Sequence, residues 1–421
     1  MDLRINRARL QKRLGELAGL GRNSRGGIDR SIGDAACLQA RTWLIREAQS
    51  FGATVKIDAI ANLWFQAGHT KTRPPITFGS HHDTVPNGGK YDGSLGVLLG
   101  LEVMQTVLEQ SIVLSHPLQV VSFTAEEPNP YNLSTMGSRS VTGKLSGETL
   151  AGAVHAVTGE KLVDTIRRAG GDLAKLSDAQ LKAGDMHAFI ECHIEQGRCL
   201  YDRQLPVAVV SAITGIYRER IRTVGEANHA GTTLMHHRHD ALLAAAEAAL
   251  ALERIVTAGN RNHVVGTVGQ FAIEPNAANI IPGTAEFILE LRTPDEAIKA
   301  TLIGELEEAL HEIAGRRGVS FDRAVLLDQS AVPLSPVVMD ACYNAMNMAG
   351  LAPVTLVSMA GHDAAHMAGI APTGMLFVQS IMGKSHCAEE ETTIDDIETA
   401  ANLLLHTTIL LDKLDKIPDK P

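Results

Sequence analysis

The sequence predicts an α/β fold, a mixed and largely parallel sheet flanked by helices, with a smaller α+β domain inserted into it. Three observations carry this prediction. Short apolar runs rich in β-branched residues alternate with helix-period patterns, as parallel strands joined by crossover helices require. The 421-residue chain exceeds what one hydrophobic core usually supports. Residues 213–327 carry their own succession of strands and helices, unlike the alternation on either side.

The elements follow in order. "MDLRINRARLQKRLGELAGL" alternates charges with apolar residues at helical spacing and lacks the uninterrupted apolar core of a signal peptide, so a cytoplasmic location is expected. "PPITFGS" reads as a buried strand entering a polar turn. "SLGVLLGLEVMQTVLEQ" after it reads as a helix, with apolar residues every three to four positions. "LQVVSFTAEE", "HAFIECHIEQG" and "PTGMLFVQS" are further buried strands that end in polar turns. Over 213–327 the order is strand ("YRERIRTVG"), helix ("DALLAAAEAALALERIV"), strands ("HVVGTVGQFAI", "GTAEFILELRT") and helix ("PDEAIKATLIGELEEALHEIAGRRG"), a β-α-β-β-α unit. Asp240 fits an N-cap, Pro294 a first-turn proline, and "RRG" a helix end with cations and a closing glycine. The expected domains are therefore 1–212 with 328–421, and the insertion 213–327.

Composition narrows the function. With 45% hydrophobic and 20% charged residues the chain reads as soluble and globular. A net charge of −10 argues against nucleic acid or an anionic membrane as a partner. No apolar run approaches the ~18 residues of a membrane span. Cysteine is sparse, odd in number and without a CxxC pair, so neither a disulfide framework nor a zinc finger is indicated. Cys192, Cys199 and Cys387 flank candidate ligands, but no catalytic dyad accompanies them.

The chemistry concentrates at strand ends, where open α/β sheets gather their ligands. "FGSHHDTVPNGGKYDGSLGVLLG" sets His81, His82, Asp83 and Asp92 among glycines, and other strand ends add Glu126–Glu127, His193 and His386. Imidazole and carboxylate are the donors of zinc, manganese and related divalent ions. His81, Asp92, Glu127, His193 and His386 exceed what one zinc needs, so two metals sharing a bridging carboxylate is the economical reading. Two such ions about 3.5–4 Å apart activate water and stabilise the oxyanion formed at a carbonyl. Each residue also has a plainer reading: a lone histidine beside glycine is usually a surface or capping residue, and paired glutamates usually mark a solvated helix end. Joint occurrence at several strand ends brings the metal site level with that reading.

The motifs "GSHHDTVPNGGKYDGSLGV", "EE…MGSRSVTG", "HIEQG", "NHAGTTLM…RHDAL", "EPNAANIIPG…LELR" and "GHDAAHMA…GKSHCAEE" appear in this order. Together they resemble the M20 metallopeptidase superfamily, in its amidase/hydantoinase/carbamoylase branch, from about Gly26 to Leu405. The resemblance implies a two-domain enzyme with a binuclear centre and an inserted lid domain that forms a homodimer. His81 and His193 match terminal ligands of one metal, Glu127 and His386 those of the other, and Asp92 the bridge. Zinc is the default, with manganese, cobalt or nickel as alternatives. Asp83 matches the residue that holds the second nitrogen of His81, and Glu126 the general base. The intervening glycines let the chain fold the His81 turn back toward Asp92, and His82 is expected to point away. His229 matches a histidine that reaches a neighbouring subunit and helps hold the oxyanion. Asn279 and Arg292 match groups that bind the substrate carboxylate, a task suited to a planar guanidinium. Gln196 matches a polar contact to the carbamoyl or amide group.

The implied reaction cleaves the ureido or amide C–N bond of N-carbamoyl-L-amino acids to give L-amino acid, ammonia and carbon dioxide. "HIEQG" and "NHAGTT" favour the carbamoylase branch over peptidases. β-Ureidopropionase, allantoate amidohydrolase and N-acyl amino acid or dipeptide hydrolase are alternatives on the same scaffold. A catalytically silent binding protein would require lost ligands, and none is lost. Departures from the pattern bear on substrate choice: "EEPNPYNLSTMGSR" lacks the usual glycine after the glutamates, Leu234 replaces a common proline, and Glu290 a common aspartate.

Overall fold

The computed structural model describes residues 3–67 and 73–417. The chain forms two compact units, Met1–Ser211 with Leu334–Pro421, and Ala212–Pro333. Among the described residues no helix is long and apolar enough to cross a membrane.

The sheet of the larger unit runs Thr54–Ile57, Leu63–Ala67, Leu118–Phe123, Ile76–His81, Ala188–Ile194, Thr373–Val378 and Val207–Ile213, with Thr355–Ser358 beside the last. The four strands read from the sequence form its parallel centre. Ile76–His81 pairs in parallel with both Leu118–Phe123 and Ala188–Ile194, and the latter with Thr373–Val378. Antiparallel strands flank them on both sides, so the sheet is mixed. Strands covered on both faces need no polar alternation, and every residue of Ile76–His81, Ala188–Ile194 and Thr373–Val378 is buried. The helix Ser94–Glu109 packs on this centre through Leu95, Leu98, Leu99, Leu101 and Val103 against Phe78, Val120 and Ile190. Each such side chain contributes about 1.5–3 kcal/mol by burial. The strands are therefore rigid, and their carboxyl ends fix the loops that follow.

The smaller unit holds a four-stranded antiparallel sheet in the order Ser320–Gln329, Gly215–Val224, Thr284–Thr293, Val265–Glu274. Helices Ala241–Thr257 and Glu296–Arg317 share its core with Tyr217, Ile221, Phe287 and Leu289. The strand Ser320–Gln329 corrects the β-α-β-β-α expectation. It is an edge strand, half or fully exposed along its length, and a register shift between Val325 and Leu327 breaks its alternation. Asp240 caps its helix by accepting from the Leu243 N–H. At the second helix the cap is Asp295, which accepts from Ala297 and Ile298, so Pro294 precedes the helix instead of opening its first turn. Gly318, at φ 63°, ends that helix beside Arg316 and Arg317.

Candidate metal centre

His81 closes the strand Ile76–His81, and the chain returns to present Asp92 just before the helix Ser94–Glu109. The return needs Gly93. Its φ is 61°, and a Cβ there would lie 2.3 Å from the His81 ring. His193 lies within Ala188–Ile194, next in the sheet, while Glu126 and Glu127 follow Leu118–Phe123 and His386 follows Thr373–Val378.

The imidazole tautomers follow from their partners. His81 Nδ1 donates to the Asp83 carbonyl at 3.1 Å, and His193 Nδ1 to the Ile194 carbonyl at 2.9 Å. When the rings are neutral, both Nε2 atoms present lone pairs, and that of His193 accepts from the Gly93 N–H at 3.2 Å. These nitrogens stand 3.4 and 3.3 Å from the same oxygen, Asp92 Oδ1. The other oxygen, Oδ2, stands 3.4 Å from His386 Nε2, which is also 3.4 Å from Glu127 Oε1. Glu126 Oε2 approaches His81 Nε2 at 3.7 Å. Three trios therefore offer converging donor atoms: His81, Asp92 and His193; Asp92, Glu127 and His386; His81, Glu126 and Glu127.

Lone pairs facing carboxylates repel unless a cation or a proton lies between them. The electrostatics point the same way. Burial opposes charge on His81, but Asp92, Glu126 and Asp83 outweigh it and raise its pKa well above the ordinary value. His193 rises to about 9 against its burial, through Asp92 and Glu191. Asp92 resists burial and falls well below the usual carboxylate range, held by His193, His386 and His81. Glu127 rises to about 7 through burial and the neighbouring Asp92 charge, and its buried Oε1 has no hydrogen-bond partner. A buried imidazole–carboxylate cluster that draws positive charge fits divalent cations.

Supporting contacts fix these groups. Asp83 accepts from His81 Nδ1 through its main-chain carbonyl at 3.1 Å, its carboxylate Oδ1 stands 3.7 Å from the same nitrogen, and that carboxylate also accepts from the Glu126 N–H at 3.3 Å and the Glu127 N–H at 3.1 Å. It thus aligns both glutamates, a role the sequence expectation for Asp83 did not include. Gln196 Nε2 donates to Asp92 Oδ2 at 2.7 Å, which leaves Gln196 Oε1 without a partner. Ser385 Oγ contacts the same oxygen at 2.9 Å. Glu390 accepts from the main-chain N–H groups of Tyr91 at 2.8 Å and Asp92 at 3.0 Å. Ser385 precedes His386 directly and Glu390 follows in the same motif, and residue type alone did not mark either as a support of Asp92.

The profile of Peptidase family M20/M25/M40 matches residues 77–409. The chain belongs to this family. It is 36% identical over 404 residues to N-carbamoyl-L-amino acid amidohydrolase of Geobacillus stearothermophilus, covering 96% of this chain and 98% of that protein. It is 33% identical over 409 residues to ureidoglycolate hydrolase of Arabidopsis thaliana, covering 96% and 86% respectively. The crystal structure of an amidase of the hydantoinase/carbamoylase family from Burkholderia multivorans matches with a TM-score of 0.90 at 30% identity, covering 99% of this chain and 100% of that one. M20 enzymes are metal-dependent hydrolases, and the cluster described above supplies suitable donors.

The remaining expected residues of this M20 hydrolase are not among the three trios. His82 turns from the cluster, with Nδ1 2.6 Å from Ser122 Oγ and Nε2 3.6 Å from Cys37 Sγ. In the smaller unit, His229 pairs with Ile280 on a two-stranded ladder, and just beyond it the Asn279 carbonyl accepts from the Ala230 N–H at 3.0 Å. The exposed His229 ring accepts at Nδ1 from the N–H groups of Gly231 (3.0 Å) and Thr232 (3.2 Å), so Nε2 carries its proton. Arg292 stands on a different sheet, in Thr284–Thr293, where its Nε donates to Glu290 Oε1 at 2.6 Å. Glu290 also receives Arg218.

Proposed function

We propose that this M20 amidohydrolase cleaves the ureido C–N bond of N-carbamoyl-L-amino acids and holds two divalent cations per subunit. His81 and His193 would hold one, Glu127 and His386 the other, and Asp92 would be shared by both. The observation that carries this reading is the division of Asp92, whose Oδ1 faces His81 and His193 while Oδ2 faces His386. Imidazoles on both oxygens of one buried carboxylate are what a bridging ligand requires. Zinc suits the donors, with manganese, cobalt and nickel as alternatives.

Cations bound there supply Lewis acidity that acidifies water and polarises a carbonyl oxygen. Glu126 takes a proton from the attacking water. The water oxygen bonds to the ureido carbon, the bond from that carbon to the α-nitrogen breaks, and Glu126 returns the proton to the departing amine. The carbamic acid half then separates into ammonia and carbon dioxide. Burial, together with the Asp363 and Glu127 charges, raises the Glu126 carboxyl well above its usual range and makes it a stronger base. Gln196, its nitrogen spent on Asp92, offers Oε1 to the carbamoyl N–H. Arg292 and Asn279 hold the substrate carboxylate, and in the homodimer the Nε2–H of the partner subunit's His229 donates to the oxyanion. A homodimer through the smaller unit is supported by exposed Leu243 and Leu250 on Ala241–Thr257, and by Val265–Glu274 standing at the end of its sheet.

Ureidoglycolate or allantoate would pass through the same steps. Ammonia release from N-carbamoyl-L-amino acids, 3-ureidopropionate, allantoate, ureidoglycolate and N-acetyl amino acids separates these readings. We expect the highest kcat/KM for an N-carbamoyl-L-amino acid, and absence of turnover with every ureido acid would remove the proposal.

A further inference from the structure

The matched family profile begins at residue 77, yet a side chain well before it reaches under the cluster. Arg30 is 0% exposed and, among the described residues, forms no ion pair. Its guanidinium donates from Nε to the His82 carbonyl at 2.9 Å and from Nη2 to Ser94 Oγ at 2.8 Å. From Nη1 it donates to the carbonyls of Leu17 at 2.7 Å and Leu20 at 3.3 Å, at the end of the helix Arg7–Gly19. His82 follows His81 directly, and Ser94 stands two residues after Asp92. One rigid planar group thus grips both ends of the loop that carries two of the proposed ligands.

The surrounding backbone reinforces the grip. Ile28 and Gly88 exchange N–H···O bonds of 3.0 and 2.9 Å. The Thr84 N–H donates to the Arg30 carbonyl at 3.2 Å, while the Arg30 N–H donates to Thr84 Oγ1 at 3.0 Å. Asp29 Oδ1 accepts from the Asn87 N–H at 2.6 Å. Burying a cation whose hydrogen-bond partners are all neutral is costly, and a guanidinium gains most where several acceptors must be held in fixed directions at once. A loop ordered in advance spares cation binding the entropy of ordering it.

We infer that Arg30 is a positioning residue for the cation pair: by holding the His82 carbonyl and the Ser94 hydroxyl it sets the approach of His81 to Asp92, and with it the affinity of the site they share with His193. This rests on the reading of His81, Asp92 and His193 as metal ligands, and it extends that reading to a segment outside the family profile.

The test uses full-length wild type, Arg30→Met, Arg30→Lys and Ser94→Ala. Zinc affinity is measured by competition with a chromophoric chelator, and melting temperature with and without zinc. We expect both Arg30 variants to bind zinc at least tenfold more weakly and to show a smaller zinc-induced rise in Tm, with a lesser weakening in Ser94→Ala. A purely structural role would lower both melting temperatures equally and leave affinity unchanged, which overturns the inference. Should Arg30→Met fail to fold, unchanged affinity in both Arg30→Lys and Ser94→Ala overturns it equally. A wild type that takes up no zinc overturns the metal reading and this inference together, whereas zinc-binding wild type matched by its variants overturns the inference alone.

Discussion

Asp92 faces imidazole nitrogens from both carboxylate oxygens. Asp92→Asn would replace one oxygen with an N–H₂ group that cannot ligate, so we expect at least tenfold weaker metal binding, read from metal content after dialysis. Glu126→Gln keeps the shape but cannot take a proton. We expect kcat to fall by roughly 10²–10⁴ with metal content intact, and undiminished kcat would remove Glu126 as the base. Burial, with Lys144 and Arg139 nearby, lowers His366 to about 3. Between that value and about 6.5, the unfolded chain binds a proton that the folded chain does not. Stability therefore falls as pH drops through this window, by up to about 1.4 kcal/mol per pH unit. Urea midpoints at pH 7.0 and 5.5 should drop more in wild type than in His366→Gln, and equal drops would contradict the assignment. The proposed ligands were legible because imidazoles and carboxylates recur together at several strand ends, in motifs that resemble those of the M20 superfamily, although each residue alone has a plainer reading. Arg30 and Glu390 were not, because they act largely on main-chain groups, and nothing in residue type announces which carbonyl or N–H a side chain will meet; Ser385 was not, because a serine hydroxyl carries no sign that it will meet the Asp92 carboxylate.

At the scale of elements, buried parallel strands write themselves as largely apolar runs without regular polar alternation, which is why Ile76–His81, Leu118–Phe123, Ala188–Ile194 and Thr373–Val378 could be read directly. Ser320–Gln329 could not, because an exposed edge strand with a register shift keeps neither an apolar run nor a strict alternation. The turn after Ile76–His81 works only without a side chain at Gly93, where φ is 61° and a Cβ would meet the His81 ring at 2.3 Å. Gly93→Ala must therefore displace either the ring or the helix start. We expect at least a tenfold loss of both zinc affinity and turnover, measured on folded protein. Retention of both would show that the loop has slack the structure does not display.

For the whole molecule, strand ends from distant parts of the chain meet in one cluster, so cation binding and the folding of the larger unit are linked. A ligand that binds only the folded state stabilises it by about 4.1 kcal/mol at a thousandfold excess over Kd. Chelation should lower Tm, and readdition of zinc should restore it. The central claim is that the five proposed ligands divide between two cations with Asp92 shared, and the most direct measurement is metal stoichiometry after equilibrium dialysis against zinc. We predict two ions per chain in the wild type, one in His386→Ala and one in His193→Ala, whereas a wild type that retains one ion or none would contradict the account.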